Sequence, residues 1–240
     1  MNSFKISCAG FVIEIFCKQI STKKHCLEYI VEDEAVADFS VCPEDKDYDL
    51  IRSYLKDENE EEIELAVISY LLSDAIVKLS SVVMHGAAIS YDGEGIIFTA
   101  PSGVGKTTQA RLWKKVFGEK VTYVNGDKPI ISVRDDKVFV SGSPFCGKEG
   151  YSENKTVPLK AICFIERGEK NSIEKISSGE VLNRFFAQLF IPRIGSEYMS
   201  DALKLADSIV KNTEFYILKC NITEDAPRVA YNGIFEKTED

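Results

Sequence analysis

The sequence predicts an α/β fold: a mixed sheet flanked by helices, with a small β region at its N-terminal side. Three observations carry this expectation. An apolar run, Gly95-Ile96-Ile97-Phe98, leads through a glycine-containing loop into residues 107–117, which read as a helix. Two Asp-bearing turns, Asp92-Gly93 and Asp135-Asp136, each sit between short apolar runs and mark hairpins. A core strand at residues 157–166 is followed by helical patterns that start at Ser177 and Asp201.

The loop itself reads Thr99-Ala100-Pro101-Ser102-Gly103-Val104-Gly105-Lys106-Thr107-Thr108. Strand, glycine-containing loop with Gly-Lys-Thr, then helix is the context of a phosphate-binding P-loop, so the main unit is expected to be a P-loop domain. Each residue type has a task. Gly103 and Gly105 permit backbone angles and close approach that a Cβ would block. The N–H groups of Ser102, Gly103, Val104, Gly105, Lys106, Thr107 and Thr108 then converge on phosphate oxygens at a helix N-terminus. Lys106 is expected to reach the β- and γ-phosphates, and the Thr107 hydroxyl to ligate Mg²⁺. Ala100 stands where the usual pattern begins with Gly, which requires a negative φ there.

Composition bounds the rest. The 240 residues suit one large domain with a small appendage; the expected division is an N-terminal β region at 1–56 and a P-loop domain at 57–240. The net charge of −9, with no basic stripe, argues against a nucleic-acid partner. Seven cysteines without a Cys-x-x-Cys pair, and two histidines, form no metal-ligand pattern. Buried, reduced thiols in a cytoplasmic protein are the expectation. No apolar run approaches membrane-spanning length.

Along the chain, Phe11, Ile13, Ile15 and Cys17 alternate as in a strand, with a hairpin at Ala9-Gly10. Residues 28–50 read as a strand or two with loops. After an acidic run at 57–62, taken as a solvated helix start, residues 63–79 form a helix apolar on more than one face. Residues 81–90 read as one strand. A two-residue turn at Asp92-Gly93 makes paired positions sum to 185, which sets His85 opposite Ala100, beside the phosphate site. A short strand at 120–124 ends in Asn125-Gly126-Asp127-Lys128. Strand ends next to a P-loop face its ligand, so Asp127 is the candidate carboxylate, as a Mg²⁺ ligand or a base. The second hairpin pairs positions summing to about 271, which brings Asp127 near Pro144 and delivers loop 145–151 to the same end. Lys148 can there meet phosphate and Glu149 the metal, with two solvated loop charges as the alternative. Arg184 and Arg193 flank the helix predicted from Ser177 to Leu189. A last strand is expected at 213–219, followed by a charged, less ordered tail from Thr223.

The Met84-His85-Gly86 strand, the Asp-Gly hairpin, the Ala100–Thr107 loop and the Asp after the next strand together resemble the kinase domain of the HPr kinase/phosphorylase family, which belongs with the phosphoenolpyruvate carboxykinase-like P-loop proteins. The resemblance spans about residues 80–166. It implies transfer of the ATP γ-phosphoryl group to a hydroxyl, with Lys106 and Thr107 on phosphate and metal, Asp127 as base, and His85 matching the His-Gly strand. ATP and Mg²⁺ are the implied cofactors. A serine of a peptide or protein, or a small alcohol, is the implied acceptor, and the family allows a homo-oligomer. This chain has Gly126-Asp127 where the family has paired aspartates, and its second signature loop is not recognisable in 142–154. Two alternatives are a nucleotide-binding switch that hydrolyses ATP slowly or not at all, and a kinase of the shikimate or nucleotide kinase type. The latter needs a parallel strand before the loop instead of a hairpin.

Overall fold

The computed structural model describes residues 2–191 and 196–236. At the N-terminus, β1 (Asn2–Cys8), β2 (Phe11–Cys17) and β3 (Phe39–Val41) form a small sheet in that order. The expected hairpin is present: Cys8 pairs with Phe11, and Ala9 and Gly10 take φ of +54° and +82°. The next stretch departs from the sequence reading. Besides β3 it carries two helices, α1 (Ile20–His25) and α2 (Asp45–Tyr54). The helix start of α2 was written in a capping box, in which Glu44 and Asp47 each bond the other's backbone.

Helix α3 (Glu60–Val77) starts from Asn59, whose side-chain oxygen accepts from the N–H groups of Glu61 and Glu62 at 3.0 Å. It is buried on more than one side. Ile68, Leu72 and Ile76 pack with Ile6, Ile13 and Ile15 of the small sheet, and Ile63 and Val67 pack with Tyr48 of α2.

Glu64 ties these parts together. Its fully buried carboxylate accepts from Lys18 N–H (2.6 Å), Gln19 N–H (2.9 Å), Thr22 Oγ1 (2.5 Å) and Tyr48 Oη (2.7 Å). Burial alone would raise its pKa, but the four donors outweigh that and lower it. Glu64→Gln sets an NH₂ group against these donors and is expected to destabilise the fold by about 2–4 kcal/mol in urea unfolding. Because the folded pKa lies below the unfolded one, this contribution is present above the ordinary Glu pKa and fades as pH falls through the folded value. A wild-type-like unfolding midpoint in Glu64→Gln would contradict it.

The main sheet has ten strands. Eight run in the order β12 (Leu189–Phe190), β4 (Ser81–Met84), β8 (Ile130–Arg134), β9 (Lys137–Ser141), β10 (Thr156–Arg167), β6 (Glu94–Thr99), β5 (Ala87–Tyr91), β7 (Val121–Asn125). β13 (Glu214–Cys220) pairs parallel with β10 and antiparallel with β11 (Ser172–Lys175). The twelve-residue β10 joins the halves: it pairs antiparallel with β9 at Thr156–Pro158, then parallel with β6 from Leu159 to Phe164. Both predicted hairpin registers hold, with Tyr91 opposite Glu94 and Arg134 opposite Lys137.

Alternation along the strands feeds two cores. Ile96, Phe98, Ala161 and Cys163 face α4 (Lys106–Phe117) and α7 (Asp225–Phe235), around the fully buried Trp113. Ile97, Ile162 and Phe164 face α5 (Ser178–Phe186) and α6 (Ser196–Asn212). Trp113 holds the helix behind the glycine loop, with Phe117 and Tyr91 at ring-centroid distances of 5.0 and 5.7 Å. Trp113→Ala is expected to cost about 3–5 kcal/mol, read as an early unfolding transition.

Three further expectations are corrected. Residues 81–90 are two strands, because the chain leaves one half-sheet and enters the other at His85-Gly86; a Cβ at Gly86 would stand 2.6 Å from Ile97 Cγ2. The helix from Ser177 stops at Phe186, and Leu189 joins the sheet opposite Met84. The C-terminal tail forms α7, since Ala226, Ala230 and Ile234 fall on one face and fill the first core. Arg193 lies outside the described residues. Among the described residues no helix is long and apolar enough to cross a membrane.

Candidate functional site

β6, β7 and β10 all end at the same edge of the sheet, and the glycine loop leaves from the end of β6. Gly103 and Gly105 have φ of +76° and +130°, and Gly105 is the N-cap of α4. These are backbone states that side-chain-bearing residues resist. Ala100 is buried and is not among the residues with positive φ, the condition its departure from Gly required. Val104 turns inward and packs against the first core, so within 102–108 it is the anchor and not part of the cleft wall. From the end of β10, Arg167 Nη2 donates to the Gly103 carbonyl at 2.6 Å.

Lys106 is almost fully buried, 8% exposed, and its Nζ donates to the Ala100 carbonyl at 3.1 Å. Burial lowers its pKa, against the pull of Asp127. The fold thus keeps a charge at the loop that nearby anions stabilise.

Asp127 is held by a turn. The fully buried Asn125, last residue of β7, accepts from the Asp127 and Lys128 N–H groups at 2.9 and 2.7 Å. Its amide donates to the Ser143 carbonyl at 2.9 Å, and Ser143 Oγ donates to the Lys128 carbonyl at 2.9 Å. The Asp127 carboxylate pairs with Lys128 Nζ at 2.9 Å and lies 3.6 Å from His85 Nε2. His85 reaches this point by the break between β4 and β5, not by a continued ladder opposite Ala100. Its N–H donates to the Gln188 carbonyl at 2.8 Å, and Thr99 Oγ1 donates to the His85 carbonyl at 2.8 Å. Burial first, and then Lys106, lower the His85 pKa, so the ring is neutral at pH 7. Asn125→Ala leaves the Asp127 and Lys128 N–H groups without partners, while the Ser143 carbonyl keeps its bond from Ser152 Oγ at 2.8 Å. It is expected to destabilise the protein by about 2–3 kcal/mol in thermal or urea unfolding.

Loop 142–155 closes the site from the other side. Gly126 N–H donates to the Tyr151 carbonyl at 2.7 Å, and Gly147, with φ of +78°, lies against Asp127. Glu149 pairs with Arg111 at 3.3 Å; the Arg111 guanidinium lies 5.5 Å from the centre of the Tyr151 ring, itself stacked on Tyr123 at 4.3 Å. Lys148 turns away from the glycine loop, toward Glu58 and Glu62 at 3.7 and 3.9 Å.

These groups line one cleft of about 1090 Å³. It brings together His85, Ser102, Gly103, Gly105, Lys106, Thr107, Thr108, Asp127, Lys148 and Glu149. Arg184 stays apart, paired with Glu166 at 2.9 Å. A smaller hollow of about 510 Å³ lies elsewhere, near Lys160 and Lys175, both of which pair with Glu214. Among the described residues, no three His, Cys, Asp or Glu side chains cluster as a protein-only metal site.

Several lining residues escaped sequence reasoning. Arg111 stands four positions after Thr107 and so shares a helix face with it, a readable signal. Lys128 adjoins Asp127 in the same turn. Glu62, Leu65, Ala66 and Ser69 share one face of α3, and His25 belongs to α1. Nothing local indicated that these would face the glycine loop.

The family model described as SynChlorMet cassette protein ScmC matches residues 53–225. No curated protein matches the chain. Among solved structures, the Hpr(Ser) kinase/phosphatase from Coxiella burnetii is similar at 9% identity and a TM-score of 0.39, over 63% of this chain and 89% of that one.

Proposed function

The chain belongs to the family of the SynChlorMet cassette protein ScmC, and we propose that it is an ATP- and Mg²⁺-dependent kinase that phosphorylates a hydroxyl group. One observation carries this reading. The Gly103-Val104-Gly105-Lys106-Thr107 loop, with its left-handed glycines and buried lysine, opens α4 into the same cleft as the Asp127 carboxylate. The donor set fits a nucleotide: loop N–H groups, a helix N-terminus, Lys106 and Lys128 offer hydrogen bonds and positive charge to phosphates. Thr107 and Asp127 are the groups that would hold Mg²⁺, which neutralises phosphate charge when bound and commonly takes one or two protein side chains.

In this reading the acceptor oxygen attacks the γ-phosphorus and the bond from that phosphorus to the β,γ-bridging oxygen breaks, releasing ADP. The hydroxyl proton passes to the Asp127 carboxylate. Asn125 fixes where that carboxylate stands, Lys128 pairs with it at 2.9 Å, and Lys106 stabilises charge on the transferred group. Neutral His85 stands beside Asp127, its Nε2 3.6 Å from the carboxylate. The chain positions and stabilises charge and forms no covalent intermediate.

The test is incubation with Mg–ATP labelled in the γ-phosphate and a panel of serine peptides and small alcohols. Label on an acceptor oxygen is the expected result. Label released only as inorganic phosphate, or retained on ATP, would favour a slow ATPase or a nucleotide-binding switch.

A further inference from the structure

The cleft is larger than the glycine loop and its phosphates require, and its two halves differ in chemistry. One half holds the loop, Lys106, Asp127 and Lys128. The other is built by the N-terminal third of the chain and by loop 142–155, with Leu65 and Phe145 among its apolar lining. It is fixed in place across a long sequence separation. His25 Nε2 lies 2.7 Å from the Pro144 carbonyl, Asn154 donates to the Ser7 carbonyl at 3.1 Å, and Tyr29 bonds Ser152. The N-terminal region thus completes the cleft as well as packing beside it.

Glu58 and Glu62 line this second half together. The neighbouring Glu62 carboxyl raises the pKa of Glu58. A cation already rests on them: the Lys148 ammonium, at 3.7 and 3.9 Å, distances too long for hydrogen bonds, on a side chain 83% exposed. So the pair accepts positive charge but holds this one loosely, and exposed ion pairs of this kind are weak. Lys148 follows Gly147, which lies against Asp127. The Gly147-Lys148 step thus joins the Asp127 side of the cleft to the Glu58 and Glu62 side.

We propose that this half of the cleft is the acceptor subsite, and that the acceptor carries a cationic group, an amine or guanidinium on a short apolar neck, which replaces the Lys148 ammonium at Glu58 and Glu62. The inference rests on the kinase reading and adds to it the charge class of the substrate. An anionic acceptor meets two carboxylates here and is rejected. A neutral one leaves Lys148 in place and gains nothing from the pair. Lys148 acts as an internal competitor that only a cationic substrate displaces.

The experiment is calorimetric titration of matched probes into protein loaded with Mg²⁺ and a non-hydrolysable ATP analogue. One set is an acetylated Gly-Leu-Ser-Arg-Gly peptide with its citrulline and Glu twins. The other is 5-amino-1-pentanol with 1,5-pentanediol. The expected result is that the cationic member of at least one set binds about five- to tenfold more tightly than its neutral twin, and the set that binds distinguishes a peptide from a free amino alcohol. Glu58→Gln with Glu62→Gln removes that preference, and Lys148→Ala tightens cationic binding several-fold. Equal binding of charged and neutral twins, a preference that survives the double substitution, or no probe binding to loaded protein would overturn the proposal. Failure of the kinase reading itself is seen separately, as absence of heat from the ATP analogue during loading or absence of label on any acceptor in the γ-labelled ATP assay.

Discussion

Asp127→Asn is expected to lower phosphoryl transfer about a thousandfold while Mg–ATP affinity changes by less than about threefold. The substitution is nearly isosteric, and the turn that carries residue 127 is built from its backbone: the Asn125 oxygen accepts from N–H groups, not from the side chain. What disappears is the proton acceptor and the partner of Lys128 at 2.9 Å. Initial rates with labelled ATP and binding of a non-hydrolysable analogue separate the two effects. Undiminished transfer would remove Asp127 from the mechanism, and affinity falling in parallel with rate would make it chiefly a metal ligand. A spectroscopic signature accompanies the kinetic one. Asp127 raises the pKa of His85 against burial and Lys106, so in Asp127→Asn the imidazole titration, followed by NMR, moves to lower pH. His85 resists charging in the folded state, and acidification below the ordinary imidazole range therefore costs stability, more so in the variant.

Lys106→Met is expected to weaken Mg–ATP binding by about a hundredfold or more, and to make the free protein more stable. The second effect follows from burial. Lys106 is held at 8% exposure, its Nζ donates to the Ala100 carbonyl, and burial lowers its pKa. A group whose charged form is disfavoured by the fold destabilises it while charged, and an apolar side chain of similar length does not. The unliganded melting temperature is expected to rise by roughly 2–4 °C, while the upward shift that Mg–ATP gives the wild type is lost. A lower melting temperature would make Lys106 a structural residue, and retained nucleotide stabilisation would separate it from the binding site.

Local patterns carried much of this in advance. The hairpin turns set register by geometry, so the pairing of Tyr91 with Glu94 and of Arg134 with Lys137 was readable from two short turns. The same arithmetic carried the chain past Pro144 and brought loop 142–155 to Asp127. It failed at Gly86, where the chain crosses from one half-sheet to the other against Ile97, a tertiary arrangement no local pattern displays. His85 still arrives beside Asp127, by way of backbone bonds to Gln188 and Thr99. Asn125 was present in the quoted turn, but its role depends on Ser143, which lies in another loop. The least legible part was the N-terminal third. Its alternating residues identified strands, yet the wall that α1 and α3 give to the cleft rests on pairings such as His25 with Pro144, more than a hundred residues apart.

The central claim is that the glycine loop binds a nucleotide through its phosphates. The most direct measurement is a calorimetric titration of the wild-type protein with the Mg²⁺ complex of a non-hydrolysable ATP analogue, beside one with adenosine. One-to-one binding of the analogue is expected, with at least about a hundredfold weaker binding of adenosine, because loop N–H groups and Lys106 act on the phosphates. No heat from the analogue, or equal affinity for adenosine, would contradict it.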